Sequence, residues 1–81
     1  YVEQSRLKVN SDEAELRAVR NDFVIAERQQ QRQEELYRQG LKSLTEVEQR
    51  RLKFQEATAK LQASENKLAA SRQQLINAQL E

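Results

Sequence analysis

Hydrophobic residues recur along this chain at intervals of seven, in two runs. In the first half Val2, Val9, Leu16, Phe23, Gln30 and Tyr37 follow one another, with Ser5, Asp12, Val19, Ala26 and Gln33 three positions on. In the second half Val47, Phe54, Leu61, Leu68 and Leu75 keep the interval, and their companions Arg50, Ala57, Ser64, Ser71 and Ala78 are mostly small. Such a double row is the seam of a helix that packs against another helix. Glu13/Arg17, Glu34/Arg38, Glu46/Arg50 and Glu56/Lys60 place an acid four residues ahead of a base, the better orientation for a pair on a helix surface. Both halves are therefore expected to be helical.

The two seams are out of phase. Extending the first beyond Tyr37 would put Leu44, Arg51, Thr58, Glu65 and Arg72 in the core, a mostly polar set, so a single unbroken coiled-coil seam fails. A phase-shifting insertion can keep a helix continuous across such a break, but the residues at the break carry both a stop and a start signal. Gly40 is the only glycine. Just beyond a helix end it takes the left-handed conformation that closes the helix, with Leu36 and Leu41 as the hydrophobic pair of a Schellman ending. Ser43-Leu44-Thr45-Glu46 then has the spacing of a capping box that opens a second helix.

In an antiparallel hairpin, residues at one height have numbers that add to a constant. Tyr37/Val47, Gln30/Phe54, Phe23/Leu61, Leu16/Leu68 and Val9/Leu75 each add to 84, which sets the fold axis at residue 42, inside the turn that the capping residues mark. The expected fold is all-α, a two-helix antiparallel coiled-coil hairpin. It runs as one unit, with helix 1 over about 2–39, a turn at 40–43 and helix 2 over about 43–81. An arm of about 37 residues is about 55 Å long. Small residues at Ser5, Ala26, Ala57 and Ser64 predict a close approach of the arms. The seam holds few large side chains, so the hairpin is expected to be marginal by itself. The apolar residues off the seam, Leu7, Ile25, Leu52 and Leu80, are either incidental surface groups or contacts to sibling hairpins or to further parts of a larger protein.

Composition narrows the functional classes. Of the 81 residues, 44 are Ala, Glu, Lys, Arg or Leu, as in long helices and coiled coils. A mean hydropathy of −0.99 raises the question of disorder, and the periodicity answers it. There is no His and no Cys, which removes the usual zinc, copper and iron–sulfur ligands and the Ser-His and Cys-His pairs. The candidates for acid–base chemistry are Asp12, Asp22 and the Glu side chains, and their spacing places most of them on solvated faces without a convergent pocket, so no enzyme activity, metal or cofactor is expected. A net charge of +1 with interleaved signs, the densest basic cluster being Arg50-Arg51-Leu52-Lys53, gives no field for nucleic acid. The longest apolar run, Phe23-Val24-Ile25-Ala26, is far short of the roughly 20 residues of a membrane span, and the first residues have no signal-peptide pattern. Because the chain starts at Tyr1, it is expected to be a fragment whose targeting and anchoring segments lie elsewhere. The absence of Cys is compatible with any compartment, the oxidising periplasm included.

The stretch from Arg32 through Leu36, Tyr37, Gly40 and Ser43 to Glu46, followed by a long Ala-, Leu- and Gln-rich helix, resembles the hairpin tip of periplasmic adaptor proteins, the membrane fusion proteins of the HlyD family. Their tip pattern Arg-x3-Leu-x6-Ser is matched at Arg32, Leu36 and Ser43, and the matched positions fall on the independently located turn. As motif the resemblance covers residues 32–57, and as architecture the whole chain. It implies an adaptor that links an inner-membrane transporter to a TolC-like outer-membrane channel, in a tripartite efflux pump or a type I secretion system. It further implies a periplasmic hairpin, a parent attached to the inner membrane, and six siblings arranged as a funnel or tube. By the same resemblance Arg32 and Ser43 would hydrogen-bond to the channel tips and Leu36 would supply apolar contact. The Ser-Leu-Thr-Glu start of helix 2 is more similar to secretion-type than to drug-efflux adaptors. The family carries this hairpin within a lipoyl-like β domain, followed by barrel and membrane-proximal domains.

Each tip residue also has a local reading. Leu36 closes the Schellman ending, Ser43 caps helix 2, and Gly40, Leu41 and Glu46 belong to the turn geometry. Arg32 lies outside the seam, where its charge near a helix C-terminus accounts for about 0.3–1 kcal/mol at most, which makes it the strongest candidate for a binding residue. Gln30, Gln33 and Arg50 interrupt the seam near the tip and predict a looser, wetter end. The alternative function is a structural coiled-coil scaffold or oligomerisation module without a channel partner.

Overall fold

Neither arm contains a glycine or a proline to interrupt it, and each winds into one helix of 37 residues. The computed structural model describes residues 2–80, in which α1 is Val2–Arg38 and α2 is Leu44–Leu80. The helices lie antiparallel in a rod 62 × 14 × 12 Å, with no strand among the described residues. The expected extension of the second helix to Glu81 lies outside the described residues.

The turn is closed by the bonds that its sequence specifies. Gly40 has φ +75°. Its N–H donates to the Tyr37 carbonyl at 3.0 Å, and the Leu41 N–H donates to the Leu36 carbonyl at 2.9 Å, the bond pair of a Schellman ending. A Cβ at Gly40 would meet nothing within 4 Å, so backbone conformation, not space, demands glycine here. At the start of α2 the Glu46 N–H donates to Ser43 Oγ at 3.3 Å, and the Ser43 N–H donates to Glu46 Oε2 at 3.1 Å. This reciprocal capping box satisfies two donors that a helix start otherwise leaves orphaned. The backbone bond from Ser43 draws the Glu46 carboxyl below its usual 4.5, with Lys42 adding to the effect.

Between the helices Val9, Leu16 and Leu68 form a buried cluster with Leu61 and Leu75 packed against it, and Val47 is fully buried beneath the turn. Leu16 and Leu68, which add to 84, belong to one cluster. The aromatic residues depart from straight-across pairing. Phe23 packs on Phe54 with ring centroids 5.4 Å apart, one heptad off the expected Phe23/Leu61 pairing. Small half-buried residues, Ala26 and Ala57, flank the rings in sequence and leave room for this diagonal contact. Tyr37 is corrected from seam to surface: it is 38% exposed, next to the end of α1 where the chain peels into the turn, while Val47 is already covered.

The surface pairing also differs from expectation. None of the four i,i+4 pairs forms an ion pair among the described residues. Glu13 instead reaches Arg72 at 3.3 Å and Glu34 reaches Arg51, both across the hairpin, and Glu46 is spent on the cap. A partner on the other helix spans a narrow rod as readily as one a turn away.

Candidate docking tip and outer faces

The three motif residues occupy different environments at the end of the rod. Arg32 is exposed on α1 and lines a shallow recess of about 210 Å³ with Ile25, Arg28 and Gln29. Its guanidinium has no carboxylate within 4.0 Å among the described residues. Leu36 is half-buried and its carbonyl is taken by the Schellman bond. Ser43 is exposed, with its hydroxyl engaged by the Glu46 N–H. Arg32 thus has free donor capacity, while the polar groups of Leu36 and Ser43 are used in holding the turn.

Just behind the tip an Arg fork ties the helices together. Arg51 Nε and Nη2 donate to the two carboxylate oxygens of Glu34, the second at 3.0 Å. Gln30 adds a bond to Glu34 Oε1 at 3.2 Å, and Arg50 Nη1 donates to Gln29 Oε1 at 3.1 Å. The fork holds the Glu34 carboxyl below its usual 4.5 and raises the Arg51 guanidinium further above its already high ordinary value. Read as a solvated basic cluster, Arg51 does not declare this role. The signal was in the numbering, since Glu34/Arg51 and Glu13/Arg72 fall one position from the seam constant.

Far from the tip lies a second polar site that no motif marked. Asp12 is 4% exposed and accepts a hydrogen bond from Ser71, 1% exposed, on the facing helix. Lys8 stands 3.6 Å and Lys67 3.8 Å from its carboxylate, and Lys67 also pairs with Glu15 at 2.8 Å. The Ser71 bond outweighs burial and, with the two lysines, keeps the Asp12 carboxyl below its usual 3.8. Glu15 foremost, then Asp12, raises Lys67 above 10.5. The carboxylate is fully occupied in joining the helices, so this is an internal lock rather than an open acid. No group of three His, Cys, Asp or Glu is placed to hold a metal among the described residues.

The faces opposite the seam are exposed and carry little charge. On α1 the row Leu7, Ser11, Ala14, Ala18, Asn21, Ile25 contains none, and on α2 neither does Ala59, Ala63, Asn66, Ala70, Gln73, Asn77. The rows cover the same stretch of rod, because Ala14/Ala70 and Ile25/Ala59 again add to 84. Along α2 amide side chains bond to each other, Gln62 to Asn66 at 3.0 Å and Gln73 to Asn77 at 3.1 Å. Leu7, Ile25, Leu52 and Leu80 are 45–81% exposed, and Val24, Leu44 and Ile76, which periodicity did not single out, join them. No helix is long and apolar enough to cross a membrane among the described residues. Comparison of the chain with protein-family models, with curated proteins and with solved structures gives no match.

Proposed function

We propose that this chain is the α-hairpin of a periplasmic adaptor of the HlyD type, whose tip docks onto a TolC-like outer-membrane channel and so links it to an inner-membrane transporter. The observation that carries the reading is Arg32, an exposed guanidinium with no ion-pair partner, set at the motif spacing from a turn closed at Leu36, Gly40 and Ser43. An Arg fork in this state is suited to carboxylates and to the free carbonyls of a helix end. The rod supplies reach along its 62 Å length. The matched, charge-free outer rows support side-by-side contact with siblings, as in a six-membered tube, with the tips at one end. The location in this reading is the periplasm, and the inner-membrane attachment and transporter contact belong to other domains of the parent. The chain acts by binding, without catalysis or cofactor.

A second reading, a structural coiled-coil module without a channel, is favoured by the use of the Leu36 carbonyl and the Ser43 hydroxyl in closing the turn. The two separate on Arg32→Ala. Docking predicts loss of substrate export by the parent system with unchanged helicity. A scaffold predicts unchanged export, since Arg32 makes no ion pair whose loss would weaken the hairpin.

A further inference from the structure

Three apolar side chains stand on the end of the rod. Leu41 is 66% exposed, Leu44 46% and Tyr37 38%. The hydrogen bonds that close the turn come from the backbone and from Ser43 and Glu46, so none of them depends on these side chains. The cations near this cap are freer than the acids. Glu34 is held by Arg51, Glu35 by Arg38 at 3.5 Å, and Glu46 by the Ser43 N–H. Glu48 and Glu46, whose carboxylate has only the neutral Ser43 N–H and the field of nearby Lys42, are the acids left without an ion pair, against three cations, Arg32, Lys42 and Arg50, none of which has a carboxylate within 4.0 Å among the described residues.

An exposed apolar patch beside cations that have no ion-pair partner marks an interaction surface. We infer that the Leu41–Leu44–Tyr37 cap, not Leu36, is the apolar contact of the docking proposed above, on which this inference rests. Its partner is a protein surface with an apolar notch edged by carboxylates. A lipid surface fits less well, because membrane-binding helices lie in the interface along a continuous apolar face, whereas α1 and α2 meet this cap end-on. The end is 14 by 12 Å across, far less than the roughly 800 Å² per partner of a stable interface. One tip therefore binds weakly, and several tips on one partner are needed for tight capture.

The test uses the full adaptor in its envelope, with the outer-membrane channel recovered on the adaptor after chemical crosslinking. Wild type is expected to recover the channel, and L41Q/L44Q to recover at least tenfold less at equal helicity. K42E is expected to recover severalfold less, by an amount that shrinks at high salt. If the double variant loses helicity, L44Q decides, since Leu44 lies outside the Schellman pair. Wild-type recovery by the helical variants overturns the cap while leaving the docking reading standing. No recovery by wild type overturns the docking reading and the cap with it. Flotation of the chain with phosphatidylglycerol vesicles, lost in L41Q/L44Q, overturns the protein partner in favour of lipid.

Discussion

Asp12 and Ser71 are separated by 59 positions in sequence and joined by a hydrogen bond in the interior of the rod. They sit in the companion rows of the two seams, where apolar or small residues are usual, so the buried carboxylate is a departure from simple heptad packing. A buried charge is costly unless its oxygens are satisfied. Here Ser71, Lys8 and Lys67 converge on it. A polar pair in a seam narrows the choice of register, since a slip that moves Ser71 away from Asp12 also breaks the convergence of Lys8 and Lys67 on the carboxylate.

This arrangement makes stability depend on acid. The carboxyls of Asp12, Glu34 and Glu46 all have folded-state pKa values below their usual 3.8, 4.5 and 4.5. A lowered folded pKa favours the folded state above the ordinary value, and the gain is lost as pH falls through the lowered one. Thermal melts by circular dichroism should therefore give a level Tm from neutral pH to about 4.5 and a falling one below it. The Tm difference between wild type and Asp12→Asn should be constant above 3.8 and close in stronger acid. A difference that instead widened in acid would contradict the pairing.

Gly40→Ala should cost about 1–2 kcal/mol, because alanine is disfavoured at φ +75° although its Cβ has room. Asparagine, which tolerates the left-handed region better, should cost less. The variant also has an escape, since two straightened chains in antiparallel register reproduce every seam pair that adds to 84. Light scattering after size exclusion should show more dimer for Gly40→Ala than for wild type. A variant as stable as wild type would mean that the turn does not require the left-handed residue.

Leu68→Ala removes a side chain 4% exposed from the buried cluster with Val9 and Leu16 and should cost about 2–5 kcal/mol. Leu52→Ala, 55% exposed on the outer face, should change stability by less than about 0.5 kcal/mol. Urea titrations of the two variants measure both. Equal losses would mean that the outer face is covered in solution.

The seam and the turn were legible in the sequence because both are local rules. Sevenfold spacing places Val9, Leu16, Leu61, Leu68 and Leu75 on facing sides, and Gly40 with Ser43-x-x-Glu46 sets the reversal. What escaped was decided by the partner helix. Phe23 and Phe54 use the room beside small neighbours to meet diagonally, Tyr37 leaves the seam where the chain turns away, and the acids choose cross-hairpin bases over those one turn along. Asp12 looked like a polar interruption because its satisfaction depends on Ser71, Lys8 and Lys67 arriving together. Applied to the polar rows, the constant near 84 would have found Asp12/Ser71, Glu13/Arg72 and Glu34/Arg51. At the tip, spacing located Arg32, Leu36 and Ser43, but only their bonding separates a free guanidinium from two residues engaged in the turn.

The most direct measurement of the docking claim is site-specific photo-crosslinking in the native envelope, with the probe at exposed Gln39 beside the turn in one variant and at Ala63 on the outer face in another. The account predicts that position 39 captures an outer-membrane channel and position 63 captures a sibling adaptor. Capture of no channel from position 39, by a parent that is expressed and folded, would contradict it and leave the hairpin a scaffold.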